Sequence, residues 1–248
     1  MKNVLLLLLI VFCFNLRAQT DEIQSIWVID CPSAATLERG SFMVGIDAYA
    51  YGGILTRVDV GISERIMFGI SYGGTNLIGT GAVDWNPMIG VDVRYRLFNE
   101  QLTFPAVSIG FTNQGRGAYI DSLSRYTEKS KGAFLSISKS YNFLGTFAIH
   151  GGINYSFEHG DGDKDLSGFV GMEKSLNEEL ALFAEYDLAV NDNTTNGVGD
   201  GKGYLNAGIK WSFEGQLFID FLWKNILKNN SFDTNSSREI RISYMQYF

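Results

Sequence analysis

Cysteine, proline and histidine are scarce in this chain, with two, three and two copies among 248 residues. Cys13 lies in the apolar leader, which leaves Cys31 without a partner for an internal disulfide, and no His or Cys close by in sequence makes it half of a metal site. A catalytic thiol needs an adjacent base, so Cys31 reads as structural or incidental. The prolines, Pro32, Pro87 and Pro105, leave long stretches free for continuous hydrogen-bonded strands. Long hydrophobic runs are also missing: beyond the leader no stretch approaches 18 uninterrupted apolar residues, so a helical membrane anchor is excluded from the mature chain. Clustered basic charge is absent too. The net charge of -7 makes nucleic acid an unsuitable partner.

The N-terminus carries Lys2, an apolar run over residues 4–14, then Leu16, Arg17 and Ala18, the form of a secretory signal cleaved after Ala18. The run is too short to cross a bilayer as a helix. Cleavage removes Lys2 and Arg17 and takes the net charge from -7 to -9.

What fills the remainder is alternation. Residues 88–97 place Ile89, Val91, Val93, Tyr95 and Leu97 on one face and Asp92, Arg94 and Arg96 on the other. Three charges on one strand face fit a wall with lipid outside and water inside better than the core of a soluble sandwich. The same pattern recurs over 41–51, 54–63, 66–73, 106–114, 133–141, 146–157, 166–176, 180–190, 204–213, 216–226 and 238–248. The last of these places Ile240, Ile242, Tyr244 and the terminal Phe248 together, the form of a barrel-closing C-terminal strand. Connectors alternate between short and long, which assigns the short turns and both chain ends to the periplasm and the long loops to the outside; 52–53 is a short outer turn. Aromatics gather toward strand ends, as interface girdles require. Lys139 falls on the lipid face, which suits a side chain reaching for the interface.

The fold expected is therefore all-β: a single antiparallel transmembrane barrel of about 12 strands over residues 41–248, with ten or fourteen as neighbouring counts. It sits in the outer membrane of a Gram-negative bacterium, with outer-membrane lipid, lipopolysaccharide and the barrel-assembly machinery as partners. Residues 19–40 do not alternate, and form either a periplasmic segment or a small plug.

Residues 92–119 (DVRYRLFNEQLTFPAVSIGFTNQGRGAY) and 132–140 (GAFLSISKS) resemble the repeat of YjbH-like outer-membrane proteins associated with exopolysaccharide. In that family a basic-aromatic-basic triplet precedes an acidic turn, a strand opening on Pro-Ala-Val, a Gly-rich loop and a strand ending in Ser-Lys. Pro32-Ser33-Ala34 resembles a Pro-Thr-Ala motif near the start of those barrels. The resemblance spans roughly residues 31–157 and implies a barrel that handles or exports surface polysaccharide, with polysaccharide-export proteins as partners. It brings no catalytic residues.

The lumen face carries Asp47, Asp59, Asp92, Glu173, Glu185, Asp187, Asp220 and Glu239 beside Arg57, Arg94, Arg96, Lys210, Lys224 and Arg241. Two arrangements follow from this set. The charges line a narrow aqueous path for a small polar or sugar solute, with Tyr49 and Tyr204 as stacking surfaces, or they pair across the lumen and close it. His150, with Asn154 and Ser156 on its face, allows a lipase-like trio, but a hydrogen-bonded lumen histidine is the plainer reading. Asp161, Asp163 and Asp165 alternate as in a calcium loop. Leu166 and Met172 stand where an EF-hand needs glycine and glutamate, so a solvated acidic turn is expected, with weak divalent-cation binding as the alternative. The glycines of 197–203 lack a following helix and read as a flexible loop. No cofactor is expected. The functional expectation is a non-enzymatic narrow channel or assembly component; a lipid hydrolase using His150 and an adhesive barrel acting through its loops are the alternatives.

Overall fold

The computed structural model describes residues 25–231 and 235–248; the expected cleavage site after Ala18 and residues 19–24 of the N-terminal segment lie outside the described residues. In chain order the strands are β1 (Ser41–Tyr49), β2 (Gly53–Ser63), β3 (Ile66–Thr75), β4 (Asp84–Trp85), β5 (Gly90–Phe98), β6 (Ala106–Thr112), β7 (Arg116–Ile120), β8 (Arg125–Glu128), β9 (Gly132–Asn142), β10 (Thr146–Tyr155), β11 (Ser167–Ser175), β12 (Leu180–Asp187), β13 (Tyr204–Phe213), β14 (Leu217–Lys224) and β15 (Ser237–Tyr247).

Twelve of these strands form a closed antiparallel barrel in which each wall strand pairs with its sequence neighbours. The seam is β1 against β15, in register from Ser41↔Tyr247 to Ala48↔Ile240. The remaining three lie in outer loops: β4 pairs antiparallel with the outer end of β3, and β7 pairs with β8 in a separate hairpin. Each wall strand corresponds to one alternating segment of the sequence. Among the described residues no helix is long and apolar enough to cross a membrane.

Alternation in the sequence becomes two surfaces. Ile70, Val93, Ile109, Ile149, Val170, Ile209 and Ile242 are all exposed on the outside of the wall. A continuous apolar belt of this kind is unstable against water and stable against acyl chains. The β1–β2 turn lies at residues 50–52, where 52–53 was expected, with Gly53 opening β2; it is tight because Tyr51 and Gly52 both take positive φ, of 60° and 61°. Lys139 resolves its lipid-side position by turning to Glu100 at 2.9 Å and to the Gln101 carbonyl at 2.8 Å, in the short turn below it.

Residues 25–40 are a plug. They enter the lumen from the short-turn end and fold back on themselves, with Trp27 bridged to Pro32 and the Val28 N–H donating to the Cys31 carbonyl at 2.9 Å. Val28, Ile29, Cys31 and Ala34 have no solvent exposure. Ile26, Trp27, Ala35 and Leu37 pack with Met67 and Met245 of the wall, and Ile29 packs with Phe183 and Leu222. Two wall glycines make room: a Cβ at Gly61 would stand 1.8 Å from the Glu38 carbonyl oxygen, and one at Gly171 would stand 3.1 Å from the Val28 methyls.

Candidate functional site: the plugged lumen

The tight turn of the plug presents three successive backbone N–H groups, and one wall carboxylate receives all of them. Glu185 on β12 accepts from Ile29, Asp30 and Cys31 at 2.9 Å each, and from the Asn206 side-chain amide at 2.9 Å. Glu185 is 2% exposed. Burying a carboxylate is costly unless its oxygens are satisfied, and among the described residues backbone donors of the plug do this in place of an ion pair.

Around this anchor the wall offers further polar contacts. Arg94 on β5 is ion-paired to Asp92 at 2.9 Å, donates to the Ile26 carbonyl and stacks over the Trp27 ring at 4.3 Å. Arg96 donates to the Thr36 carbonyl at 3.0 Å. The Ser138 hydroxyl accepts the Ala34 N–H at 2.9 Å, and the Ser136 hydroxyl donates to the Pro32 carbonyl at 3.1 Å. Arg241 on β15 donates to the Ile29 carbonyl at 3.0 Å and to Asp47 on β1 at 2.8 Å, so it ties the barrel seam and the plug together. Arg94, Arg96, Arg116, Ser136 and Ser138 thus all bear on the plug.

A second intrusion comes from the long-loop end. The β7–β8 hairpin places Arg116 2.8 Å from Asp30 and 3.1 Å from Asp47. Lys224 at the outer end of β14 lies 2.7 Å from Asp30, 3.5 Å from Glu239 and 3.7 Å from Glu128. Burial raises the Asp30 carboxyl, but the charges of Lys224, Arg116 and Arg241 outweigh it and hold the group below the ordinary carboxylate range. Burial also raises Glu128. Lys224 opposes this from a greater distance, while Asp30 and Glu239 add to it, so Glu128 is pushed up to about 7.

The outer loops fasten the hairpin. Buried Arg125 lies 2.5 Å from Asp161 and also pairs with Asp192; Lys129 lies 2.8 Å from Asp161 and 2.7 Å from the Asn191 carbonyl. Lys131 pairs with Asp187.

Most of the expected lumen residues are inside, but as members of a packed network and not as the lining of an open path. Asp47 pairs with Arg57 at 3.1 Å, Glu173 stands 4.0 Å from Lys210, and Asp220 stands 3.9 Å from Arg241. Tyr49 and Tyr204 are not free stacking surfaces: their hydroxyls donate to the Gly74 carbonyl at 2.9 Å and to Asp192 at 3.0 Å. Asp161 and Asp163 are buried under the mouth, where the expectation was a solvated turn, and Asp161 is occupied by Arg125 and Lys129. Among the described residues no cluster of His, Cys, Asp or Glu is arranged to hold a metal ion. Asn154 donates to the Lys131 carbonyl at 3.2 Å and Ser156 accepts the Glu158 N–H at 3.2 Å, so neither joins His150. The partner of His150 Nδ1 is Ser138, at 2.8 Å beneath the plug. Between plug and wall a cavity of about 70 Å³ remains, bordered by Trp27, Asp59 and Asp220.

Missed by the sequence were Asp30, Arg116, Glu128, Arg125 and Asp192. They sit where no periodicity marks a face, and the only signal they left was charge in segments that a solvated loop also explains.

No family model matches the chain, and no curated protein matches it. Solved outer-membrane barrels do match in fold. A KdgM porin is similar with a TM-score of 0.50 and 8% identity over 84% of this chain and 99% of that one. The Acinetobacter baumannii outer membrane protein Omp33 is similar with a TM-score of 0.51 and 10% identity, over 86% of this chain and 100% of that one.

Proposed function

We propose that this chain is a non-enzymatic outer-membrane channel that rests closed, with residues 25–40 as a displaceable plug, and that it serves the passage or export of surface polysaccharide. The observation that carries the reading is the seat of the plug. Glu185, Ser136, Ser138, Arg94 and Arg96 hold it through its backbone, so the wall left behind on release is polar and compatible with water. A barrel meant to stay filled needs only side chains from its own wall. The fold shared with a protein described as a porin is compatible with a pore. The polysaccharide link rests on the resemblance of residues 31–157 to YjbH-like proteins, a span that includes Arg94, Arg96, Ser136 and Ser138 of the plug seat. Lipopolysaccharide, the barrel-assembly machinery and polysaccharide-export proteins are the proposed partners.

Single-channel recording tests this. The chain from Gln19 onward should be silent in a planar bilayer, and the same chain lacking residues 19–39 should give conductance steps that oligosaccharides reduce. Silence from both, with the barrel folded, overturns the channel reading. Phospholipid hydrolysis lost on His150→Ala would replace it with the hydrolase.

A further inference from the structure

The hairpin does more than cover the mouth. A lid would end at the rim, whereas Arg116 at the base of β7 reaches past the rim to Asp30 at 2.8 Å and lies 5.7 Å over the Trp27 ring, both of them plug residues. Its cross-strand partner Glu128 stands against Lys224, which itself holds Asp30 at 2.7 Å. At its far end the same hairpin carries Arg125, whose polar contacts among the described residues are Asp161 and Asp192 of the neighbouring outer loops and carbonyls of its own strand.

We infer that hairpin and plug are the two halves of one gate, latched through Asp30, and that displacement of the outer loops releases the plug. The inference rests on the plug being displaceable and adds its regulation: the trigger acts from outside, on the Arg125–Asp161–Asp192 cluster. The physical basis is charge balance. Asp30 is buried and tolerable only while Arg116, Lys224 and Arg241 neutralise it; withdrawal of Arg116 leaves the plug tip with a weakened partner set in a low-dielectric site. Coupling of this kind is reciprocal, so removal of the plug also loosens the hairpin.

Cys31 provides the readout. It is fully buried at the plug tip and is the sole thiol of the chain from Gln19 onward. The rate at which a water-soluble maleimide modifies it in the refolded barrel reports plug release, and heat-modifiable gel mobility confirms that each variant retains the barrel. Arg116→Gln and Arg125→Ala should each raise the modification rate at least about tenfold over the parent, and Arg116→Gln combined with Asp30→Asn should exceed the faster single variant by no more than about twofold, because the Arg116–Asp30 pair is lost in both single variants. Lys129→Ala is the milder second variant at the outer cluster and should raise the rate in the same direction. Parental rates in Arg116→Gln, Arg125→Ala and Lys129→Ala, beside fast modification in Glu185→Ala, overturn the latch while leaving the displaceable plug intact. Acceleration by Arg116→Gln alone also overturns it, since the outer loops then have no hold on the plug. Parental rates in all four variants, with no conductance from the truncated chain, defeat the channel reading itself.

Discussion

The Nε of Arg116, on a hairpin that enters the barrel from one end, lies 2.8 Å from Oδ1 of Asp30, at the tip of a plug that enters from the other. The two residues are 86 positions apart and neither belongs to the barrel wall. Their meeting closes the lumen from both sides.

Glu185→Ala should unseat the plug tip. Three backbone donors lose their acceptor at a buried site, and a hydrogen bond to a charged group contributes about 1.5–3 kcal/mol. With roughly 1.4 kcal/mol per factor of ten, the open population and the maleimide rate of Cys31 should rise at least tenfold. Glu185→Gln keeps one acceptor oxygen and should fall between the parent and the alanine variant.

Gly61→Ala should destabilise the root of the plug. The new Cβ would stand 1.8 Å from the Glu38 carbonyl oxygen, a backbone atom with no side-chain freedom to yield. Overpacking of this kind costs about 1–3 kcal/mol. The check is protease cleavage between residues 25 and 40, which should accelerate while the heat-modifiable mobility of the barrel stays unchanged.

Gate protection should depend on pH through Glu128. Its carboxyl is raised to about 7 from an ordinary value near 4.5, so the latched state binds its proton more tightly than the unlatched one. The closed arrangement is therefore favoured at low pH, and that advantage is lost as pH rises from about 4.5 through about 7. Cys31 modification measured with a reagent whose rate is corrected for thiol ionisation should be slower at pH 5.5 than at pH 8. Glu128→Gln should flatten the difference; a pH response unchanged in that variant assigns it to another group.

Deletion of Phe248 should affect assembly and not the finished barrel. The ring is 86% exposed and its intramolecular aromatic contact is Phe42, at 5.2 Å, so few native contacts are lost. Cells producing the truncated chain should show a reduced outer-membrane level, while refolding in detergent micelles should match the parent.

The sequence alone determined the wall. A strand's side-chain period is two, so each alternating segment announced which residues face lipid and which face the lumen, and Asp47, Asp92, Arg94, Glu185 and Arg241 are inside for that reason. The lengths of the connectors determined which end carries the loops. What the sequence left open, and tertiary structure decided, are the contacts among inward charges and the place of segments without a period. Arg241 joins Asp47 across 194 residues only because the barrel closes β15 on β1. Residues 25–40 became a plug because the lumen offers Glu185, Ser138 and Arg94 as partners for their backbone, and no local pattern records a partner 155 residues away. Periodicity is a property of neighbours along the chain, and it reaches as far as the strand; the pairing of buried charges is a property of enclosure, which exists only once the wall has closed.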